Sequence, residues 1–169
     1  RAIAPTGTIS IVAETTSGIE PIFAVAFKRR YLKGDTWHAQ YVVDMAAERL
    51  IREGVDPDSI EDAYSLAGDP KRRLDFQCFV QRYVDQGISS TLNLPAWGSE
   101  LNNPDTADAF SDVLLDALPH LRGMTAYPDG SRGGQPLTVV PYKEAIEKLG
   151  VEFREHGNES SCASGVCGV

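Results

Sequence analysis

Twice in quick succession the chain carries the same punctuation: Gly54 followed by Asp56-Pro57, and Gly68 followed at once by Asp69-Pro70. A glycine after a periodic run closes a helix by taking a left-handed conformation that other residues avoid. The aspartate then accepts hydrogen bonds from the first free N–H groups of the next helix, and proline fits its first position, where a missing N–H costs nothing. No long element passes through such points, so this part of the chain is built from short pieces.

The runs between and around these stops are periodic. The spacing predicts a helix over about His38 to Arg52, with Val43, Ala46, Ala47, Leu50 and Ile51 on one face and Gly54 after it. Asp56-Pro57 opens a short helix that turns Ile60, Ala63, Tyr64 and Ala67 inward, and Asp69-Pro70 opens another with Phe76, Phe79, Val80, Tyr83 and Val84. Two further helices are expected, over about Pro104 to Leu118 with Phe110, Val113, Leu114, Ala117 and Leu118 inward, and from Pro141 with Tyr142, Ala145, Ile146 and Leu149 inward and Gly150 after it. "RAIAP" reads as a strand end entering the turn "TGTIS"; "ISSTLNLP" and "GMTAY" read as strands, and "SGIEPIFAVAFKRRYL" as an extended or irregular segment.

Strands alternating with helices argue for an α/β fold with a mainly parallel sheet or barrel. Three strands are too few to close a barrel. With a start at Arg1, in mid-strand and without Met, the expectation is that an upstream part belongs with this one. From about Phe153 no apolar period continues, so the division expected is a folded part over 1–150 and a flexible tail over 151–169.

The 169 residues carry 42% hydrophobic and 24% charged side chains, enough for a core, and a net charge of −8. That sign disfavours a nucleic acid polymer or an anionic membrane as partner, yet leaves room for a local phosphate site built from backbone N–H groups. No apolar run is long enough to span a membrane. Three cysteines are an odd number for a secreted disulfide framework, and a cytoplasmic location is the reading.

Two stretches carry the chemistry. In "PTGTIS", Pro5 to Ser10, Gly7 permits close approach to the backbone, and Thr6, Thr8 and Ser10 offer hydroxyls beside the N–H groups of a helix start. The same letters also suit an ordinary strand-to-helix turn. In "CASGVC", Cys162 and Cys167 are joined by a linker small enough for the sulfurs to meet, which fits redox exchange; an incidental pair, or half a metal site with His156, remain alternatives. Cys78, between Phe76 and Phe79, reads as a buried structural thiol, His38, His120 and His156 as surface or capping residues, and Lys28, Arg29 and Arg30 as a solvated patch. Arg132, in the glycine-rich turn "DGSRGG", stays ambiguous.

Taken in order, "APTGTISIVAETTSGIEPIFAVAFKRRYL", "ISSTLNLP", "MTAYPDGSRGGQPL" and "CASGVC" resemble the C-terminal part of ribonucleotide reductases, most closely the adenosylcobalamin-dependent class. The resemblance covers nearly the whole chain and is strongest at 4–31, 88–95 and 124–137. It implies the C-terminal portion of a ten-stranded α/β barrel, and substrate phosphates bound at Pro5, Thr6, Gly7, Thr8, Ile9 and Ser10. It implies an adenosylcobalamin cofactor, and a tail pair, Cys162 and Cys167, that re-reduces the active-site disulfide and is itself recharged by thioredoxin or glutaredoxin. A 17-residue coil from Phe153 to Val169 would have an r.m.s. span of roughly 20–25 Å. The substrate would be a ribonucleoside di- or triphosphate.

Two departures matter. Iron-dependent large subunits carry adjacent tyrosines where this chain has Ala126-Tyr127, which favours the cobalamin class and leaves Tyr127 a packing role. Nothing here matches the family's finger-loop cysteine, so no catalytic residue is assigned and the N-terminal remainder of the reductase is an expected partner. A fragment of an iron-dependent large subunit and a non-catalytic thiol-exchange or interaction module are the competing readings.

Overall fold

The computed structural model describes residues 1–131 and 137–155. Its helices are α1 (Gly7–Val12), α2 (Met45–Arg52), α3 (Pro70–Gln81), α4 (Ala107–Ala117) and α5 (Tyr142–Glu147). Its strands are β1 (Ala26–Lys33), β2 (Thr36–Val43), β3 (Thr91–Leu94), β4 (Thr125–Pro128), β5 (Leu137–Val139) and β6 (Glu152–Glu155), with single 3-10 turns at 57–59, 65–68, 104–106 and 118–120.

The strands form two sheets. β3 and β4 pair in parallel, Thr91 against Thr125 through Leu94 against Pro128, and α4 lies in the connection between them. This is the strand–helix–strand unit that a parallel pair requires. Ile3 makes a further parallel bridge to Ile88, which brings residues 1–3 alongside 86–89. The second sheet has the order β5-β1-β2-β6 and is antiparallel throughout. β1 and β2 form a hairpin over eight residue pairs. Its turn is Gly34-Asp35, and Gly34, at φ 62°, stands where the primed hairpin turns take glycine.

The expectation of a mainly parallel sheet is thus corrected: it holds for β3, β4 and Ile3, whereas the larger sheet is antiparallel and neither closes into a barrel among the described residues. The helix expected over His38–Arg52 begins only at Met45, because its first half is β2. Asp44 caps the shortened helix, accepting from the N–H groups of Ala46 and Ala47. The stretch expected to open the tail carries β6, which pairs along β2 from Trp37 to Gln40.

Both Asp-Pro caps are as read, but the helix expected after Asp56 is only the 3-10 turn at 57–59, with Ile60 extended after it and a separate turn at 65–68. The Asp56 side chain accepts from Asp58 N–H, and that of Asp69 from Arg72 N–H. α3, however, turns the other way round: Phe76, Phe79 and Tyr83 are exposed, Leu74 is buried, and Cys78 packs beside it. Gln77 and Gln81 share this inner face because loops need their amides. Gln77 Nε2 donates to Gly123 O, and Gln81 Nε2 to Val84 O and Gln86 O. Tyr64, Leu118, Ile146 and Leu149 are likewise exposed rather than inward.

Candidate functional site

The turn at Pro5–Ser10 follows the parallel bridge at Ile3 and leads into α1, so the strand–turn–helix arrangement expected there is present. Ser10 N–H donates to Thr6 O at 2.8 Å, the first full helical bond. The N–H groups of Gly7, Thr8 and Ile9 precede it, as the first residues of any α-helix do, and have no partner among the described residues. Space over Gly7 is open: a Cβ built there would meet nothing within 4 Å.

The hydroxyls divide. Ser10 is buried, and its Oγ donates to Gly7 O at 2.8 Å, so its proton is committed inside the helix. Thr6 N–H donates to Ser17 Oγ at 3.1 Å, and Thr6 Oγ1 lies 3.3 Å from the same oxygen. Thr8 is exposed. What the turn offers an anion is therefore three consecutive backbone donors and the Thr8 hydroxyl, at a small positive helix end.

Cys162, Cys167, His156 and Arg132 lie outside the described residues. Cys78 is half-buried against the Leu74–Leu92 core, with Sγ 3.7 Å from Ala117 O; burial pushes its thiol pKa up and the Asp75 carboxylate adds to this. That is an inert thiol. Among Lys28–Arg30, Arg30 stacks its guanidinium 4.5 Å from the Trp37 ring centroid, so the patch is partly a packing feature.

His38 lies in β2, mostly buried, with its ring 5.9 Å from that of Tyr31 and Nδ1 2.7 Å from Glu152 Oε1, though not aligned as a hydrogen bond. Glu152 also faces Lys33 Nζ at 3.3 Å, and the Tyr31 hydroxyl, then Lys33, hold its carboxyl below the ordinary carboxylate range. Only pairing of β6 with β2 brings these four together, and nothing in the spacing of the sequence signals it.

Among the described residues, two concavities stand out. One of about 430 Å³ lies between β2, α2 and α5, lined by Tyr41, Val43, Ile51, Tyr142 and Ile146; the other, of about 290 Å³, lies between α3 and α4 and includes Cys78 and His120. No cluster of three or more His, Cys, Asp or Glu among the described residues could hold a metal ion, and no helix there is long and apolar enough to cross a membrane.

A parallel strand pair bridged by a helix, with an open glycine turn at the head of a short helix, is the type of site α/β proteins use for phosphate-bearing ligands. Residues 1–120 match the model of the ribonucleotide reductase barrel domain, and the chain belongs to that family. It is 32% identical to a vitamin B12-dependent ribonucleoside-diphosphate reductase of Mycobacterium tuberculosis, over 98% of this chain and 24% of the relative. It is 33% identical to the enzyme of the same name from Thermoplasma acidophilum, over 89% of this chain and 22% of the relative. A ribonucleoside-diphosphate reductase subunit alpha of Bacillus subtilis is 32% identical over 73% of this chain and 10% of its own. The chain thus spans about a quarter of the length of the B12-dependent relatives it matches.

Proposed function

We propose that this chain is the C-terminal part of the catalytic barrel of an adenosylcobalamin-dependent ribonucleotide reductase, an oxidoreductase that converts ribonucleotides to 2′-deoxyribonucleotides. Its own contributions are a substrate phosphate turn at Pro5–Ser10 and the redox-active pair Cys162 and Cys167. The observation that carries this reading is the row of unpaired N–H groups at Gly7, Thr8 and Ile9 under open space, in a chain whose relatives are named as B12-dependent reductases. These three donors and the Thr8 hydroxyl hold the substrate phosphates, while Thr6 and Ser10 shape the turn from within.

The radical cysteine and the buried reducing pair belong to the N-terminal remainder of the reductase. The exposed apolar side chains Ile9, Ile11 and Val12 of α1, and Phe76, Phe79 and Tyr83 around α3, suit burial against that remainder. Adenosylcobalamin supplies the radical when bound. A corrin with its nucleotide loop and deoxyadenosyl group is far larger than either concavity of 430 or 290 Å³, so neither of them fits the cofactor, and no step is routed through it.

Each turnover leaves the buried thiols as a disulfide. The tail dithiol reduces it by two exchanges, becomes the disulfide Cys162–Cys167, and is restored by thioredoxin or glutaredoxin. In the complete reductase, Cys162→Ser with Cys167→Ser is expected to leave the single-turnover yield of pre-reduced enzyme nearly unchanged. Steady-state activity with thioredoxin is expected to collapse, and a small diffusible dithiol to rescue it. A double variant at wild-type rate with thioredoxin removes the tail from the electron path. For the turn, the Cβ of Gly7→Val would meet nothing within 4 Å in this chain. The variant is expected to raise the KM for the nucleotide, and an unchanged KM removes the turn from the site.

A further inference from the structure

The segment that follows α1 doubles back onto the base of the phosphate turn, and its contacts are too specific for a passing loop. Ser17 Oγ accepts the Thr6 N–H at 3.1 Å and touches Thr6 Oγ1. Gly18, at φ 55°, sits so close to the incoming strand that a Cβ would lie 3.2 Å from Ile3 Cγ2 and 3.6 Å from Ala4 O. Glu20 N–H donates to Ser17 O at 2.8 Å, which closes a turn around Gly18.

Glu20 then ties this turn down with both oxygens. Oε1 accepts from the N–H of Thr91, the first residue of β3, at 2.6 Å. Oε2 accepts from Arg73 Nη2 at 2.7 Å. Arg73 projects from α3, is 7% exposed, and donates from the same nitrogen to Ile19 O at 3.1 Å and Ser90 Oγ at 2.7 Å. A continuous path of polar contacts therefore runs from α3 through Arg73, Glu20 and Ser17 to Thr6, the residue before the three free N–H groups. A largely buried ion pair held by several hydrogen bonds at once is stiff even with Arg73 Nε left without a partner, and breaking it exposes an uncompensated charge.

We infer that Ser17 and the Glu20–Arg73 pair are positioning residues for the phosphate turn: Ser17 fixes the Thr6 peptide and with it the aim of the Gly7, Thr8 and Ile9 donors, and the ion pair fixes Ser17. The inference rests on the reading of that turn as the substrate phosphate site. Donors held in place before the ligand arrives bind without a reorganisation cost, so loosening the brace acts on nucleotide affinity first.

The test uses the complete reductase, with three measurements on each variant: KM and kcat for the ribonucleotide, and hydrogen exchange of the peptide covering residues 5–10 in the nucleotide-free enzyme. Ser17→Ala removes one hydrogen bond at the turn. It is expected to raise KM about five- to tenfold with a smaller change in kcat, and to speed exchange at Thr6. Ser17→Thr keeps the oxygen and is expected to restore both. Glu20→Gln retains an acceptor but not the charge, and is expected to fall between parent and Ser17→Ala on both readouts. Parent-like KM and exchange in Ser17→Ala overturn the brace. The same holds if Ser17→Thr is as impaired as Ser17→Ala, since the oxygen is then not what matters. Gly7→Val separates the two ideas: an unchanged KM there sinks the phosphate-site reading, whereas a raised KM beside a silent Ser17→Ala sinks the brace alone.

Discussion

The parallel pair and the antiparallel sheet are held together in different ways. Around β3 and β4 the buried side chains are large: Leu74, Leu92, Leu94 and Leu121, with Phe110, Val113 and Leu114 packed against them from α4. Around β1, β2, α2 and α5 the most deeply buried ones are small, since Ala26, Ala39, Ala47 and Ala145 are all 2% exposed or less, with Val43 beside them and Tyr41, Val140 and Tyr142 only partly buried around that cluster. A crossover helix stands off its strands and must fill the gap with leucines. Where α5 lies on the hairpin, the fully buried contact is made by alanines, Ala145 with Ala26, while Tyr41, Val140 and Tyr142 pack around them and the concavity of about 430 Å³ opens beside. Polar contacts secure that close fit from outside: Tyr41 OH donates to Glu144 Oε1 at 3.0 Å, and Lys148 Nζ lies 2.6 Å from the same oxygen and 4.8 Å from the Tyr41 ring centroid. The first region depends on large buried side chains, the second on small ones at its centre.

Opposite substitutions should therefore hurt the two regions. Leu74→Ala opens a cavity in the leucine core and is expected to cost about 2–5 kcal/mol in urea unfolding, the largest effect of this set. A loss near the low end of large-to-small changes elsewhere on the surface would mean that α3 does not seal this core. Ala145→Leu is the counterpart in the sheet region: overpacking between α5 and β1–β2 is expected to cost about 1–3 kcal/mol, by the same measurement. If Ala145→Leu is neutral, the close approach of α5 is not a constraint and the comparison fails.

A smaller effect is expected at the junction of β2 and α2. Asp44→Ala removes the cap on Ala46 and Ala47 N–H and should cost ~1 kcal/mol, with hydrogen exchange rising in the first turn of α2 and nowhere in α3. The least is expected from pH. Tyr31 and Lys33 hold the Glu152 carboxyl below its ordinary value, so its contribution is in place at neutral pH and is lost as pH falls through that lowered value. Exchange along β6, corrected for the intrinsic rate, should rise below roughly pH 4 and do so before β3 or β4 responds. Glu152→Gln should flatten that dependence, and a β6 insensitive to acid in the parent would show that the ladder alone secures it.

Much of the leucine-rich region was legible beforehand. The Asp-Pro starts, the strand at 91–94, the helix from about Pro104 and the strand at 125–128 rest on local chemistry of caps, turns and period, and local chemistry is written in adjacent residues. The hairpin was not. β2 holds Trp37, His38, Gln40 and Tyr41 beside Ala39 and Val43, and its last residue shares a helical spacing with Ala46, Ala47 and Leu50. The run therefore reads as one helix, although Gly34-Asp35 forms a hairpin turn ahead of it. α3 misled in the opposite sense, because its aromatics are the exposed side and glutamines occupy the inner one. The glycine turn at Pro5–Ser10 was visible; the role of Ser17 and of Glu20 with Arg73 was not, since 53 residues separate the two charges.

β6 has one more consequence. By pairing with β2 up to Glu155 it fixes the chain to the sheet's edge at that residue. Cys162 is seven residues further on and Cys167 twelve, so at full stretch they come no farther from Glu155 than about 25 Å and about 42 Å. If the pair is the shuttle proposed above, the disulfide it reduces and the reductant that recharges it must meet it inside those radii. Residues inserted just after Glu155 lengthen the tether, whereas the same residues inserted between α5 and β6 do not. For a shuttle, the mooring point is as much a part of the design as the thiols it carries.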